Sequence, residues 1–180
     1  LIYNTIQNII KDYDRTGNKE LDLNELKAYF RANNLPEDLA QSLITMYDNT
    51  ARKNGNINLL EWMKAYIQYD VDKSGSLDFS ETLEMNSQLA GVTLNSSIAN
   101  QKQYELLYNY TNQIIKSFDK NNDNKLNEEE LAEYLVSKGF SASLAKQAFI
   151  NNNISADGAL DVYELLKANI AFDVNKNGVL

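Results

Sequence analysis

The sequence predicts an all-α protein, an array of helix–loop–helix units whose loops meet through short β-pairings of two residues each. Two observations predict this class. Pro occurs 1 time and Gly 7 times in 180 residues, so few positions would break a helix. Apolar residues recur at helical spacing between acidic, Asn-rich segments, as in the stripe formed by Ile2, Ile6, Ile9, Ile10 and Tyr13.

The composition excludes several classes of function. The chain contains no Cys and no His, which removes disulfides, thiol nucleophiles, imidazole bases and ordinary zinc or copper sites. We therefore expect no enzymatic activity. The formal net charge of −8 makes nucleic acid and anionic membranes poor partners. No apolar run approaches the roughly 20 residues of a membrane span.

One segment, residues 70–81, carries oxygen atoms at a fixed spacing. Side-chain oxygens occupy positions one, three, five, nine and twelve, at Asp70, Asp72, Ser74, Asp78 and Glu81. Gly75 is sixth, where a sharp turn requires positive φ, and Ser76 offers its backbone carbonyl at the seventh position. Ca²⁺ is a hard cation that takes six to eight oxygens at roughly 2.3–2.6 Å. This spacing therefore predicts a calcium-binding loop.

The same spacing resembles the twelve-residue loop of an EF-hand, and the chain is similar to the calmodulin superfamily. The resemblance implies that a helix enters each loop and another leaves it, and that Ca²⁺ is the bound ion. We expect Mg²⁺ to compete, although its smaller octahedral shell fits this number of ligands poorly.

Three further segments fit the template. Their predicted ligands are Asp14, Thr16, Asn18, Glu20, Asp22 and Glu25 in loop one; Asp119, Asn121, Asp123, Lys125, Asn127 and Glu130 in loop four; and Asn153, Ser155, Asp157, Ala159, Asp161 and Glu164 in loop five, the seventh residue of each acting through its backbone carbonyl. Lys19 replaces the usual Gly in loop one, and a Lys at positive φ costs about 1 kcal/mol, which predicts weaker binding. With loop three, these loops predict about four Ca²⁺ sites.

Loop two, residues 50–61, departs from the template. It keeps Gly55 and Glu61 at the sixth and twelfth positions, but it places Arg52 third. Because a cation at a ligand position opposes a metal ion, we expect a structural, metal-free loop. A fourteen-residue loop that begins at Asp48 stays open as an alternative.

The last segment, residues 173–180, is half of a sixth loop. It matches the template at its start, with Asp173 and Gly178 at the first and sixth positions, and the given sequence ends before the ninth and twelfth ligands. Half a site holds Ca²⁺ poorly. We expect the natural chain to continue and complete this loop.

The loops repeat as two copies of a three-loop unit. Their starts lie at 14, 50 and 70, and again at 119, 153 and 173. We predict a first lobe at 1–90, a linker and long entering helix at 91–118, and a second lobe at 119–180.

Eight residues, 62–69, must serve as the exit helix of loop two and the entry helix of loop three. This sharing is similar to the penta-EF-hand proteins. The number of loops resembles the calbindin–calretinin group, whose even spacing is absent, so the sequence assigns no subfamily.

The third loop of each copy lacks a neighbour within its own copy. We hypothesise that loops three and six pair with each other, with Leu77 beside Leu180. The alternative is that loop three pairs with a partner chain.

The resemblance implies a Ca²⁺ sensor that changes conformation and binds a protein partner or target helix in the cytoplasm. Association with the cytoskeleton stays open. Ligation by Glu25, Glu81, Glu130 and Glu164 would move the exit helices and open an apolar groove. The low count of 3 Met is unfavourable to an adaptable groove. A Ca²⁺ buffer and a Ca²⁺-stabilised cytoskeletal scaffold stay open as alternatives.

Overall fold

A computed structural model describes residues 1–49, 53–94, 101–173, 176 and 178. The chain divides into two compact units, Leu1–Ala90 and Gly91–Leu180. Helices dominate both units, which confirms the predicted all-α class. None of the helices in these ranges is long and apolar enough to cross a membrane.

The first unit contains the helices and strands of loops one to three. The helices are α1 (Ile2–Tyr13), α2 (Leu23–Ala32), α3 (Leu39–Tyr47), α4 (Leu59–Tyr69) and α5 (Phe79–Leu89), and the strands are β1 (Glu20–Leu21) and β2 (Ile57–Asn58). The strands are antiparallel, with Leu21 opposite Ile57. Both of these side chains are fully buried, so the strand pair joins loops one and two through the core.

The second unit repeats this plan around loops four and five. Its helices are α6 (Gln101–Phe118), α7 (Glu128–Ser137), α8 (Ala142–Asn152) and α9 (Val162–Phe172). Leu126 and Leu160 form an antiparallel bridge, in which the N–H of each donates to the carbonyl of the other at 2.9 and 2.8 Å. This bridge occupies the place of the β1–β2 pair.

Every helix that leaves a loop begins with a capping box. The N-cap side chain accepts a backbone N–H from the Glu three residues later, and the carboxylate of that Glu accepts the N–H of the N-cap residue, in the pairs Asp22–Glu25, Asn58–Glu61, Asp78–Glu81, Asn127–Glu130 and Asp161–Glu164. This reciprocal arrangement satisfies two otherwise unpaired donors and favours an acidic side chain in the first turn. It also fixes the twelfth residue of each loop to a helix.

The core of the first unit forms where α1 packs against α2 and α4. Ile2, Ile6 and Ile10 are buried, as their helical spacing predicts. Trp62 on α4 is also buried and contacts the ring of Tyr29 edge-on, with ring centroids 5.2 Å apart. The aromatic rings therefore serve as core side chains here.

Helix α6, which was expected to connect the two copies and enter loop four, packs against α9 within the second unit. Leu107 and Leu166 are fully buried. Between the helices, the side-chain amide of Asn169 donates to the hydroxyl of Thr111 at 2.9 Å. This buried polar pair is satisfied internally, so it fixes the register of the two helices at no large cost.

The substitution Leu21→Ala should lower the free energy of unfolding of the first unit by about 2–5 kcal/mol, because it leaves a cavity between loops one and two. Urea unfolding of the Ca²⁺-free protein measures the change. The matched control is Leu60→Ala, since Leu60 is 67% exposed and its loss should have little effect. Equal losses in the two variants would contradict the placement of Leu21.

Candidate metal centres

Loop three brings three carboxylates together. Single oxygens of Asp70, Asp72 and Glu81 lie within 4.8 Å of one another, the one such group of three among the residues described. Oδ2 of Asp70 accepts the N–H of Gly75 at 3.0 Å, whereas its Oδ1 is buried and has no hydrogen-bond partner. A buried carboxylate oxygen without a partner is costly, and a cation would satisfy it. The residues of this loop therefore fit a Ca²⁺ ion.

The other predicted ligands of loop three lie around the same loop. Ser74 donates its hydroxyl to the Ser76 carbonyl at 2.9 Å, so the fifth and seventh residues are adjacent. Asp78 caps α5 by accepting the N–H of Glu81 at 2.9 Å. The backbone N–H of Ser74 donates to Asp72 and lowers the pKa of that carboxyl, which keeps it ionised and available to a cation.

In several of the loops, the carboxylate at the first position closes the turn with a hydrogen bond. Oδ2 of this residue accepts the N–H of the sixth residue, as in Asp14–Lys19 at 2.8 Å, Asp70–Gly75 at 3.0 Å and Asp119–Asn124 at 2.8 Å. The sixth residue adopts positive φ in each case. Lys19 takes this conformation, with φ of 65°, in spite of its side chain. The carboxylate thus fixes the turn that the template requires.

The fourth position also adopts positive φ, which the spacing of the ligands does not predict. The residues are Gly17, Lys73, Asn122, Ala156 and Lys176. In loops one and four, the N–H of this residue donates to Oδ1 of the first-position Asp, at 2.7 Å from both Gly17 and Asn122. A second left-handed residue therefore turns another donor toward the first ligand.

The twelfth-position carboxylates are buried inside their loops. Glu25, Glu81, Glu130 and Glu164 are each 8% exposed or less. One oxygen of each accepts N–H groups of the second or third loop residue, and the other accepts the N–H of the ninth. Each carboxylate thus reaches from the exit helix to the start of its loop, which is the position that a bidentate ligand needs.

Loops one and four combine charged and neutral donors. The Thr16 hydroxyl donates to Asp14 at 3.1 Å, and Asn18 accepts the N–H of Glu20 at 2.8 Å, next to the seventh-position carbonyl. In loop four, Asn121 and Asp123 are hydrogen-bonded to each other through their side chains at 2.9 Å.

The ninth residues of these two loops, Asp22 and Asn127, cap α2 and α7 respectively. The predicted ligands of both loops therefore line a single turn.

Loop five differs from the others because a Lys side chain of the neighbouring loop forms an ion pair with one of its predicted ligands. Nζ of Lys125, the seventh residue of loop four, forms an ion pair with Oδ2 of Asp157, the fifth residue of loop five. Burial alone would raise the pKa of Asp157, but Lys125 and the backbone N–H of Ala159 together hold it below its usual value. The spacing of the residues assigns Lys125 a role only through its backbone carbonyl and gives no sign of this side-chain contact.

The remaining side chains of loop five lie close to the exit helix or the loop start. Ser155 approaches Asn153 at 3.4 Å. Asp161 is buried and caps α9, and burial raises its pKa to about 7, to which the nearby Glu164 also contributes. Two buried carboxylates side by side are unfavourable without a cation, so this pair also fits a metal ion.

Loop two does not begin at the position that the twelve-residue template predicts. Asp48 follows the last residue of α3, and its Oδ2 accepts the N–H of Gly55 at 2.7 Å. This is the bond that the first and sixth residues form elsewhere. The loop therefore matches the fourteen-residue alternative, and the 50–61 register is wrong at its start. Residues 50–52 lie outside the described ranges.

The sixth half-loop folds onto its own unit. Asp173 is buried, and its Oδ2 accepts the N–H of Gly178 and the side-chain amide of Gln103, both at 2.8 Å. A Cβ on Gly178 would lie 2.8 Å from Cβ of Leu106, so only Gly fits there. The hypothesis that Leu77 pairs with Leu180 concerns a residue outside the part of the chain that is described.

Comparisons with known proteins agree with this geometry. Residues 112–136, which cover the end of α6, loop four and most of α7, match the family model of the EF hand. Calbindin-32 of Drosophila melanogaster is 28% identical to this chain over 138 residues, which are 76% of this chain and 39% of that protein. The chain thus spans about two fifths of the length of this curated relative.

The substitution Glu81→Gln should remove one bound Ca²⁺ per chain, because it replaces a bidentate carboxylate with a weaker neutral donor. Glutamine still offers an oxygen to the N–H of Asp78, so the capping box and the fold should persist. Isothermal titration calorimetry measures the stoichiometry. The control is Glu84→Gln on the same helix, which should retain every ion; an unchanged stoichiometry in Glu81→Gln would contradict the site.

The substitution Lys125→Met should tighten Ca²⁺ binding at loop five by roughly two- to fivefold, the change that corresponds to an ion pair of up to about 1 kcal/mol. It frees the Asp157 carboxylate and leaves the backbone of loop four unaltered. Lys120→Met is the matched control, since Lys120 pairs with Glu133, which is not a predicted ligand. Equal affinities in all three proteins would show that the ion pair does not compete with Ca²⁺.

Proposed function

We propose that this chain, which is similar to EF-hand proteins, binds Ca²⁺ and acts as a Ca²⁺ sensor whose helices bind a protein partner. The observation that carries this proposal is the number of large apolar side chains at the surface of one helix pair. Val136 and Phe140 are each 53% exposed, Leu144 is 45% exposed and Ile150 is 62% exposed. They lie on or between α7 and α8, which pack directly against each other.

Such exposure has a physical meaning. Single exposed apolar residues are ordinary, but several on one helix pair suggest a surface that another molecule covers. An amphipathic helix of a partner protein has the complementary chemistry. The negative net charge favours a basic target helix over nucleic acid.

The shared helices provide a route from the ions to the surface. Helix α4 carries Glu61 of loop two in its first turn and ends at Asp70, the first residue of loop three. Helix α9 likewise joins Glu164 of loop five to Asp173. Because each helix is about three turns long and rigid, a displacement at one loop must move the first ligand of the next. This coupling supports a conformational response to Ca²⁺.

We propose that the twelve-residue loops one, three, four and five hold one Ca²⁺ each, with Mg²⁺ as a competitor. Four ions would add a charge of +8 and balance the formal charge of −8. Mutual repulsion among the carboxylates of the ion-free loops would then be relieved on binding. We further propose that the protein works in the cytoplasm and has no catalytic activity of its own.

A buffering role is the second candidate, and a specific observation favours it. The twelfth-position carboxylates already lie inside their loops, held by backbone N–H groups. Loops that are formed in advance can bind ions with little helix movement, as buffer EF-hands do. The two roles differ in whether Ca²⁺ enlarges the apolar surface.

The sensor role predicts that a dye specific for exposed apolar surface binds more strongly when Ca²⁺ is added, and that Mg²⁺ at the same concentration has a smaller effect. Fluorescence titration measures the rise. The double substitution Phe140→Ser and Leu144→Ser should reduce it, whereas Lys146→Ser, an exposed α8 change, should not. A signal that does not change with Ca²⁺ would support the buffer.

A further inference from the structure

We propose that the Asn54–Gly55 pair is a site of spontaneous covalent modification, at which Asn54 loses ammonia and becomes a carboxylate that weakens the contact between loops one and two. The chain contains two Asn–Gly pairs, at 54–55 and 177–178, and residue 177 lies outside the described ranges. Asn54 and Gly55 are both exposed. The chemistry needs no metal ion and is separate from the proposed sensor role.

The reaction is an attack of the backbone nitrogen of Gly55 on the side-chain amide carbon of Asn54. The new C–N bond closes a succinimide ring, the nitrogen of Gly55 loses its proton, and the amide nitrogen of Asn54 leaves as ammonia with a proton in its place. Water then opens the ring at either carbonyl and produces an aspartate or an isoaspartate at position 54. No co-reactant other than water takes part.

The attacking nitrogen is unshielded and already has a proton acceptor. Gly55 has no side chain, and a Cβ built on it would have no heavy atom within 4 Å. The N–H of Gly55 donates to Oδ2 of Asp48 at 2.7 Å, so the proton that must leave this nitrogen faces a carboxylate. The surroundings of Gly55 therefore favour the attack.

The amide group of Asn54 is held at both ends. Its Oδ1 accepts the N–H of Asn56 at 3.0 Å, and its Nδ2 donates to Oε2 of Glu20 at 2.8 Å. Attack on the amide carbon moves negative charge onto Oδ1, where the N–H of Asn56 stabilises it, as a donor in an oxyanion hole does. A hydrogen-bond donor thus lies at the atom on which charge develops.

The modification changes the contact with loop one. Oε2 of Glu20 accepts the side-chain amides of both Asn54 and Asn56, at 2.8 and 3.2 Å. A carboxylate at position 54 has no proton to donate, and it would place a second negative charge beside Glu20. An isoaspartate would in addition insert a methylene group into the backbone of the turn. Both products would therefore weaken the contact between the two loops.

Loop one contains a matched control for the reaction. Oδ1 of Asn18 accepts the N–H of Glu20 at 2.8 Å, the same bond that Asn54 makes two residues along its own loop. The next residue, Lys19, also has positive φ, and its N–H donates to Asp14 at 2.8 Å. Lys19 differs because it carries a side chain beside the attacking nitrogen. We therefore expect the reaction at Asn54 and not at Asn18.

The test is the rate at which Asn54 becomes an acid in the folded, complete chain, incubated in Ca²⁺-free buffer at neutral pH. The same chain in urea sets the incubation time, because there the Asn–Gly pair reacts without the fold. Digestion at low pH and mass spectrometry distinguish acid from amide in each peptide, and isoaspartate in the product marks the succinimide route.

Asn54 should convert at least about tenfold faster than Asn18, a difference of about 1.4 kcal/mol in the barrier. Asn54→Gln should abolish the product at this position, because the longer side chain would have to close a larger ring, although it keeps an amide for Glu20. Asn54 that stays an amide in the folded chain, or equal conversion at the two positions, would overturn the proposal.

The effect on the contact is tested with a mimic of the aspartate product. Asn54→Asp should lower the midpoint of thermal unfolding by a few degrees, and adding Glu20→Gln should restore it, since the new amide can donate to the carboxylate at position 54. Asn8→Asp, an exposed change on α1, should leave the midpoint unaltered. Equal midpoints for Asn54→Asp with and without Glu20→Gln would show that the modification does not act on this contact.

Discussion

The hydrogen bond from a backbone N–H to the carboxylate at the end of an entering helix is the constraint on which the loops that begin with Asp depend. It joins Asp14 to Lys19, Asp70 to Gly75 and Asp119 to Asn124, and it forces the donor residue into positive φ. Once the chain has turned, the Glu at the twelfth position can reach back from the exit helix to the start of the loop. The same bond joins Asp48 to Gly55 and accommodates two extra residues. Closure, rather than the count of residues, is therefore the element that all these loops share.

Both units have the same contact between their first two loops, but the side chain that makes it is negatively charged in the first unit and positively charged in the second. The seventh residue of the first loop in each unit reaches the fifth residue of the second loop. In the first unit, Glu20 accepts the amide of Asn54 and leaves its oxygen available to the loop. In the second unit, Lys125 pairs with the Asp157 carboxylate and occupies a donor. Duplicated loops with similar backbones can thus differ in affinity through one side chain.

The exit helices and the strand pairs convert these local contacts into a frame. Capping boxes fix each twelfth-position Glu to a helix, and the Leu21–Ile57 and Leu126–Leu160 pairs hold neighbouring loops together. Helix α4 continues this frame from loop two to loop three. Because packed helices behave as rigid bodies, this frame connects the ligands of neighbouring loops mechanically.

The fold class and the positions of the four regular loops could be predicted from the sequence, because each is encoded by short-range spacing. A donor at every second position and a Glu before an apolar helix need no tertiary information. For loop two the sequence left two registers open, and the Asp48–Gly55 bond favours the one that begins at Asp48. The Lys125–Asp157 pair, 32 residues apart, was equally inaccessible. Tertiary structure decided these points because they depend on which groups burial and loop pairing bring into contact.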